Sequence, residues 1–184
     1  MSLTEPIRSP IAVRRLLKSL QNHPRNYVLV SLCLHTALRI SDILRLGTND
    51  VYDFSTGKPC TEISLTENKT KKHKTIALHK NVISALKKYR SQAKPNAPLI
   101  LNAHTGNAIS RVQAYRIISL AAKDIGQRIS CHSLRKTFGY HSWQNGVCPI
   151  IVMNIYNHSS MKITERYLGI QQDHLNTAYL ALRI

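Results

Sequence analysis

The sequence predicts a mainly α-helical domain with a small antiparallel β-sheet, an α+β fold in which residues 1–184 form one domain. A chain of 184 residues suits a single domain, and its 43% apolar residues are enough for a core of its own. Apolar residues recur at helical spacing before and after the middle of the chain. Between these segments, residues 61–78 change to short β-branched stretches around a lysine-rich connection, which predicts the sheet.

Three helices are predicted before the sheet. The stretch "SPIAVRRLLKSL" offers Ser9 as N-cap and Pro10 at the first helical position, followed by an apolar stripe. The next helix begins near Pro24 and contains "YVLVSLCLHTAL", which is apolar on nearly every side and therefore predicts a central helix. The third helix, in "RISDILRL", is short and has Ser41 as its predicted cap.

The sheet is predicted as a hairpin or meander in which "TENKTKKHK" connects "TEISL" to "TIAL". Helical patterns then return in "NVISALKKYR" and in "SRVQAYRIISLAAKDIG", with Ser110 as cap and Gly126 as stop. Three further helical stretches follow: "HSLRKTFGYHSWQNG", ending at Gly146, then "PIIVMNIY" from Pro149, and the tail "QQDHLNTAYLALRI". The predicted order is therefore helices, small sheet, helices.

Charge gives the first indication of function. Against 26 Lys and Arg there are 9 Asp and Glu, so the formal net charge is +17, and residues 68–123 contain no acidic residue at all. A surface of one sign predicts a polyanionic partner, and nucleic acid is favoured over a membrane because no basic amphipathic helix stands out. No apolar run approaches the roughly 20 residues of a membrane span. The four scattered cysteines lack zinc spacing, so we expect no metal site and interpret them as reduced thiols of a cytoplasmic protein. Nucleoid association is the further expectation for a cytoplasmic protein that binds DNA.

Five short stretches contain residues able to do chemistry, and each also has an ordinary structural explanation. Arg39 could simply pair with Asp42 three positions on, and Lys69 could be a solvated lysine of a tight turn. His132 and Arg135, spaced three residues apart in the first turn of a helix, could face one phosphate or form a surface pair. The same ambiguity holds for a loop histidine and a tyrosine further on: His158 in "YNHSS" and Tyr167 in "TERYL".

Taken together and in order, "ALRISDIL", "NKTKK", "HSLR", "YNHSS" and "TERYL" resemble the catalytic domain of the tyrosine recombinases, the phage integrase family. The resemblance extends from about Ile11 to Leu168. It implies the tyrosine recombinase catalytic-domain fold, a double-stranded DNA substrate, and neither a metal nor a nucleotide cofactor. The catalytic residues implied are Arg39, Lys69, His132, Arg135, His158 and Tyr167, with Asp42 as a supporting acidic residue.

The chemistry of DNA strand transfer requires residues of these types. Tyr167 would attack a phosphodiester, and two guanidiniums, those of Arg39 and Arg135, would hold the negative charge that grows on the phosphate oxygens. His132 is the predicted proton acceptor and Lys69 the predicted acid for the departing 5′-hydroxyl. His158 would hydrogen-bond the phosphate, and the product would be a 3′-phosphotyrosine link.

Other lysines are predicted to contact DNA, and some of them compete with Lys69 for the catalytic role. The competitors lie in the same connection: Lys71, Lys72 and Lys74. Lys136 stands where the usual H-x-x-R-H run has its last histidine, and it is predicted as a DNA contact. A second departure is Asn157, which replaces the glycine of the usual L-G-H motif but tolerates a left-handed turn.

Length is the largest departure from the family pattern. Most members carry an N-terminal core-binding domain, and nothing before Ile11 could form one, so the chain is either a fragment or a naturally short recombinase. Self-association on DNA is expected, since the exchange of two duplexes needs four active sites, a synaptic tetramer.

Two alternatives to a site-specific recombinase remain open. One is a type IB topoisomerase-like enzyme, which uses similar chemistry without a synapse. The other is a catalytically silent DNA-binding module or regulator.

Overall fold

α-Helices stand before and after a central β segment in the computed structural model, which describes residues 4–170, 176 and 179–181. The helices are α1 (Pro10–Ser19), α2 (Pro24–His35), α3 (Ile40–Ile43), α4 (Lys80–Tyr89), α5 (Arg111–Ala121), α6 (Cys131–Gln144), α7 (Pro149–Tyr156) and α8 (Met161–Leu168). The strands are β1 (Tyr52–Asp53), β2 (Lys58–Pro59), β3 (Glu62–Thr66) and β4 (His73–Ala77). The predicted α+β class is confirmed.

The helix boundaries follow local capping chemistry in most places. The Ser9 side chain accepts a hydrogen bond from the Ala12 amide, and the Ser110 side chain accepts one from the Gln113 amide, as predicted. The predicted cap of α3 is wrong, since Arg39 rather than Ser41 occupies that position and the Arg39 carbonyl accepts the first helical hydrogen bonds.

The β segment consists of two separate antiparallel pairs. Strands β3 and β4 form the predicted hairpin, in register from Glu62 opposite Ala77 to Thr66 opposite His73. Residues 67–72 make its turn, which we call the hairpin turn. The other pair, β1 with β2, was not predicted, because strands of two residues are too short to show a period of two.

The apolar interior has two parts. The main core surrounds α2, in which every residue from Val28 to Leu34 is buried, and this confirms the prediction of a central helix. A smaller C-terminal cluster lies beneath α7 and α8, and its buried members are Ala37, Val152, Tyr156 and Leu168. Helix α6 lies between the two parts, since it contacts both α2 and α8.

The predicted tail helix falls mostly outside the described residues, of which only 176 and 179–181 belong to it. Within the described part of the chain, none of the helices is both long and apolar enough to cross a membrane.

Candidate active site

Arg39 forms an ion pair with a residue that the sequence did not single out. Its Nη1 lies 3.2 Å from Oε2 of Glu67, whose side chain is fully buried. Asp42 is buried as well, and its Oδ1 accepts a hydrogen bond from the Asn68 amide at 2.9 Å. The local explanation of Arg39 as the partner of Asp42 is therefore wrong. Asp42 instead anchors the start of the hairpin turn next to Arg39.

The first turn of α6 brings His132 and Arg135 to the same place. Ser130 caps this helix by accepting a hydrogen bond from the Ser133 amide. Both residues line a pocket of about 200 Å³, together with Arg39 and the neighbouring residues Ile40, Ser41, Arg111 and Cys131. Positive charge and a helix N-terminus face this pocket, so it suits a phosphate.

Arg135 is a buried residue and not part of a surface pair. It is 3% exposed, and its guanidinium donates to the carbonyl oxygens of Ala37 and, at 3.3 Å, Tyr156. The guanidinium carbon also lies 4.6 Å from the centre of the Tyr156 ring. These contacts fix the guanidinium plane before any ligand binds, which lowers the ordering cost of gripping a phosphate.

Tyr167, near the end of α8, lies between the two histidines that the sequence singled out. The centre of its ring is 5.1 Å from that of His132 and 4.5 Å from that of His158. The Lys136 ammonium is 5.7 Å from the centre of the same ring. A half-buried tyrosine among two imidazoles and a cation suits a group that must give up its proton.

The turn between α7 and α8 holds His158 in place. Asn157 closes α7 in the left-handed conformation, with φ 54° and ψ 42°, as its identity allows. His158 Nδ1 hydrogen-bonds with the hydroxyl of the buried Thr164 at 3.0 Å. When Nδ1 accepts this bond, the proton sits on Nε2, which can then donate to a phosphate oxygen.

The pKa values of His158 and His132 are lowered, which favours their neutral forms. Burial and the nearby charges of Arg135 and Arg39 lower the pKa of His158 to about 4. Burial also lowers the pKa of His132, and the cations Lys136, Arg135 and Arg39 lower it further. A neutral imidazole beside Tyr167 can accept a proton, which is the state that a base requires.

The predicted lysines separate into two groups. Lys69, Lys71 and Lys72 are exposed on the hairpin turn. Lys74, on β4, points into the site, where its Nζ donates to the Ile155 carbonyl and lies 3.7 Å from Oε1 of Glu67. Burial lowers the pKa of Lys74, although the charge of Glu67 opposes this effect. Lys136 is 7% exposed, so the structure places it under Tyr167 and not on an open DNA-facing surface.

Sequence reasoning did not single out Glu67 or Tyr156 for the site. Tyr156 is fully buried, and its hydroxyl donates to the Arg135 carbonyl at 2.6 Å. Its position directly before "NHSS" was the available signal. Glu67 is the last carboxylate before the acid-free run of residues 68–123, and a single acidic residue among lysines was its signal.

Comparison with known proteins agrees with this geometry. The model of the phage integrase family matches residues 10–174. A probable integrase/recombinase, YoeC, from Bacillus subtilis is 38% identical over 181 residues, which are 97% of each chain. The tyrosine recombinase XerC of Thermodesulfovibrio yellowstonii is 26% identical over 84% of this chain and 53% of its own length. The chain thus spans about half the length of that tyrosine recombinase and nearly all of YoeC.

Solved structures show the same fold. The crystal structure of XerA recombinase superposes with a TM-score of 0.81 at 21% identity, covering 98% of this chain and 65% of its own. The XerH site-specific recombinase, in a post-cleavage complex with its palindromic difH substrate, gives 0.74 at 21% identity over 92% of this chain and 50% of its own. With the family model matched across most of its length, the chain belongs to the phage integrase family.

Proposed function

We propose that the chain is a site-specific DNA recombinase that cuts and rejoins DNA through a covalent link to Tyr167. The observation that carries the proposal is the position of Tyr167, between His132 and His158 and next to the pocket lined by Arg39 and Arg135. A nucleophile, a proton acceptor and two guanidiniums thus lie around one place where a phosphate fits.

The proposed reaction is a transesterification, in which one phosphate ester bond forms as another breaks. The Tyr167 oxygen forms a bond to phosphorus while the bond from phosphorus to the 5′-oxygen breaks. The tyrosine proton passes to neutral His132, and the departing 5′-oxygen takes a proton from an acid. Arg39 and Arg135 hold the non-bridging oxygens, where negative charge grows in the transition state. The reverse reaction, with a new 5′-hydroxyl, rejoins the strand.

We propose Lys69 as the acid that protonates the departing 5′-oxygen, and Lys74 is the alternative candidate. Lys74 is half-buried and engaged with Ile155 and Glu67, so its ammonium is already committed within the protein. Lys69 is exposed on the hairpin turn, where an ammonium can follow DNA into a groove. A Lys69→Met variant should therefore lose cleavage more completely than Lys74→Met at equal DNA affinity, and the opposite order would assign the acid to Lys74.

Double-stranded DNA is the proposed partner, with four copies of the chain meeting in a synapse. Support comes from the net charge of +17 and from relatives such as XerH, whose structures contain their DNA substrates. A protein acting on the chromosome would associate with the nucleoid. Since phosphate contacts release counterions, affinity for DNA should fall steeply as salt rises, and a flat salt dependence would contradict this partner.

Covalent capture in cells tests the function directly. Cells making the wild-type chain, Tyr167→Phe or the control Tyr27→Phe are denatured rapidly, and DNA still attached to the protein is sequenced. We expect capture at a few defined loci with the wild type and with Tyr27→Phe, and none with Tyr167→Phe. Capture spread over the genome would indicate a topoisomerase-like enzyme. Intact DNA binding without any capture would indicate a silent DNA-binding module, and either result would overturn the proposal.

A further inference from the structure

Glu67 is the point at which three separate parts of the site meet. It directly follows β3 and is completely buried, although the surrounding surface is strongly basic. Its carboxylate contacts the start of α3 through Arg39, strand β4 through Lys74, and the turn before α8 through Asn157. Few other side chains could hold these parts together, since each of the three partners is a donor or a cation and needs an acceptor.

The contacts divide between the two carboxylate oxygens. Oε2 accepts hydrogen bonds from the Thr70 hydroxyl at 2.6 Å and from Asn157 Nδ2 at 2.8 Å, and it lies 3.2 Å from Arg39 Nη1. Oε1 lies 3.7 Å from the Lys74 ammonium. Burial by itself would raise the pKa of Glu67, but these bonds and charges outweigh it and leave the pKa below its ordinary value. The carboxylate is therefore charged when the site is assembled.

The bond to Asn157 gives a reason for the unusual residue in the "YNHSS" stretch. A glycine would also adopt the left-handed conformation, but it has no side chain to reach Glu67. Asn157 supplies both the conformation and the hydrogen bond, and His158 is the next residue along the chain. The position of His158 is thus tied to the carboxylate that also holds Arg39.

We infer that Glu67 is a positioning residue for strand transfer, which holds the Arg39 guanidinium and the His158 turn in register with the phosphate. This inference rests on the proposed function. Glu67 acts through Arg39 and Asn157 and does not itself touch DNA. Its removal should consequently slow the chemical step and leave DNA affinity almost unchanged.

The test uses the purified 184-residue chain and a nicked duplex carrying the sequence recovered by wild-type covalent capture. Glu67→Gln keeps the size and an acceptor oxygen but removes the charge. Glu62→Gln is the matched control, because Glu62 is an exposed carboxylate on β3 and its loss changes the net charge equally. Because Arg39 loses its charged partner, the Glu67→Gln variant should form the covalent adduct about tenfold to a hundredfold more slowly than wild type at saturating DNA. Glu62→Gln should stay at the wild-type rate.

Two further measurements separate positioning from a general loss of structure. DNA affinity should agree between Glu67→Gln and Glu62→Gln, and Glu67→Asp, which keeps the charge, should recover part of the rate. Asn157→Gly serves if Glu67→Gln does not fold, since it keeps the turn and removes only the bond to Glu67. It should slow adduct formation while its affinity for the duplex stays at the wild-type level.

A duplex with sulfur in place of the bridging 5′-oxygen identifies which partner transmits the effect. A thiolate leaves without needing a proton, because thiols are far more acidic than alcohols. A defect in the general acid is relieved on this substrate, whereas a misplaced Arg39 is not. We expect the Glu67→Gln defect to persist. Full recovery on the sulfur substrate would overturn the assignment to Arg39 and His158 and point to the lysines.

The outcomes also distinguish this inference from the function on which it rests. If the wild-type chain forms no adduct with any captured sequence, the proposed function fails and the inference fails with it. If the wild type reacts and both Glu67→Gln and Asn157→Gly react at the same rate, only the inference is overturned.

Discussion

The main core and the C-terminal cluster differ in residue type and in how completely their helices are buried. In α2 an unbroken run from Val28 to Leu34 is buried. In α7, by contrast, Ile150 and Ile151 remain 55% and 52% exposed, and the cluster beneath it is centred on Tyr156. The main core is large and mostly aliphatic, whereas the cluster is small and centred on one tyrosine, Tyr156, which is hydrogen-bonded to a buried arginine.

This contrast shows that Arg39 and Tyr167 lie on parts of the molecule with different amounts of apolar burial. Arg39 lies at the start of α3, shortly after α2, so this side of the proposed phosphate pocket is next to the part of the molecule with more apolar burial. Tyr167 stands on the part with less apolar burial, and segments with few buried apolar contacts open at lower free energy. Arg135 links the segment after α2 to α7, since it donates to the carbonyl oxygens of Ala37 and Tyr156, which both belong to the C-terminal cluster.

Removing apolar volume from each part is the strongest way to break the comparison. Leu29→Ala in the main core should lower the free energy of unfolding by about 2–5 kcal/mol, because a fully buried leucine leaves a cavity. Leu168→Ala should cost less globally, since α8 can open without the main core, but it should impair adduct formation by Tyr167. Urea unfolding followed by native-state hydrogen exchange would measure both effects. If both variants lost the same free energy of unfolding and hydrogen exchange in α8 did not change locally, the main core and the C-terminal cluster would unfold as one cooperative unit.

Removing the link that Arg135 makes between the segment after α2 and α7 should have the next largest effect. Arg135→Met keeps much of the side-chain length but leaves two buried carbonyl oxygens without their donor, so we expect a loss of about 2–4 kcal/mol and no adduct formation. Arg116→Met, at an exposed position of α5, is the control and should change stability by less than about 0.5 kcal/mol. Thermal and urea unfolding measure the difference, and an Arg135→Met variant as stable as wild type would show that α7 and the segment after α2 hold together without this residue.

A single added methyl group tests how tightly the cluster is packed against α6. A Cβ at position 139 would lie 2.7 Å from the Tyr156 hydroxyl oxygen, whereas at Gly47 it would meet nothing closer than 3.6 Å. Alanine is favoured in helices by about 1 kcal/mol, but overpacking costs about 1–3 kcal/mol, so Gly139→Ala should be destabilised by up to about 2 kcal/mol. Gly47→Ala should fold normally. A Gly139→Ala variant as stable and active as wild type would show that the Tyr156 ring can move.

The smallest effect concerns pH. The pKa of His158 is lowered to about 4 in the folded chain, mainly by burial, whereas the unfolded chain has an ordinary histidine. Between about pH 6.5 and pH 4 the unfolded state binds more protons at His158 than the folded state does. The contribution of neutral His158 to the free energy of unfolding is therefore fully present above about pH 6.5 and is lost as the pH drops toward 4. Wild type should therefore lose more stability than His158→Gln between about pH 7 and pH 5 in urea unfolding. His132 and His35 are present in both proteins, so most of their contribution to the pH dependence cancels in the difference. Identical pH slopes would show that His158 is not shielded as described.

The sequence anticipated the site residues better than their partners. Helical spacing predicts that His132 and Arg135 share one face, and local chemistry alone predicts Ser9 and Ser110 as caps, which the structure confirms. Lys74 and Glu67 could not be placed in the same way. Glu67 directly follows β3 and Lys74 lies on β4, so no helical or strand periodicity relates them. Which face of the hairpin points inward depends on the helices that pack against it.

The sequence by itself determined the fold class, the central position of α2 and the family, because periodicity, capping and the order of five motifs are written in neighbouring residues. Tertiary structure alone decided that Arg39 pairs with Glu67 and not with Asp42, and that Lys136 lies under Tyr167. It also decided that Asn157 closes a turn and binds a carboxylate ninety positions away in the chain. Ion pairs and hydrogen bonds of this kind form between residues brought together by the packing of helices on a core, and no local pattern specifies them.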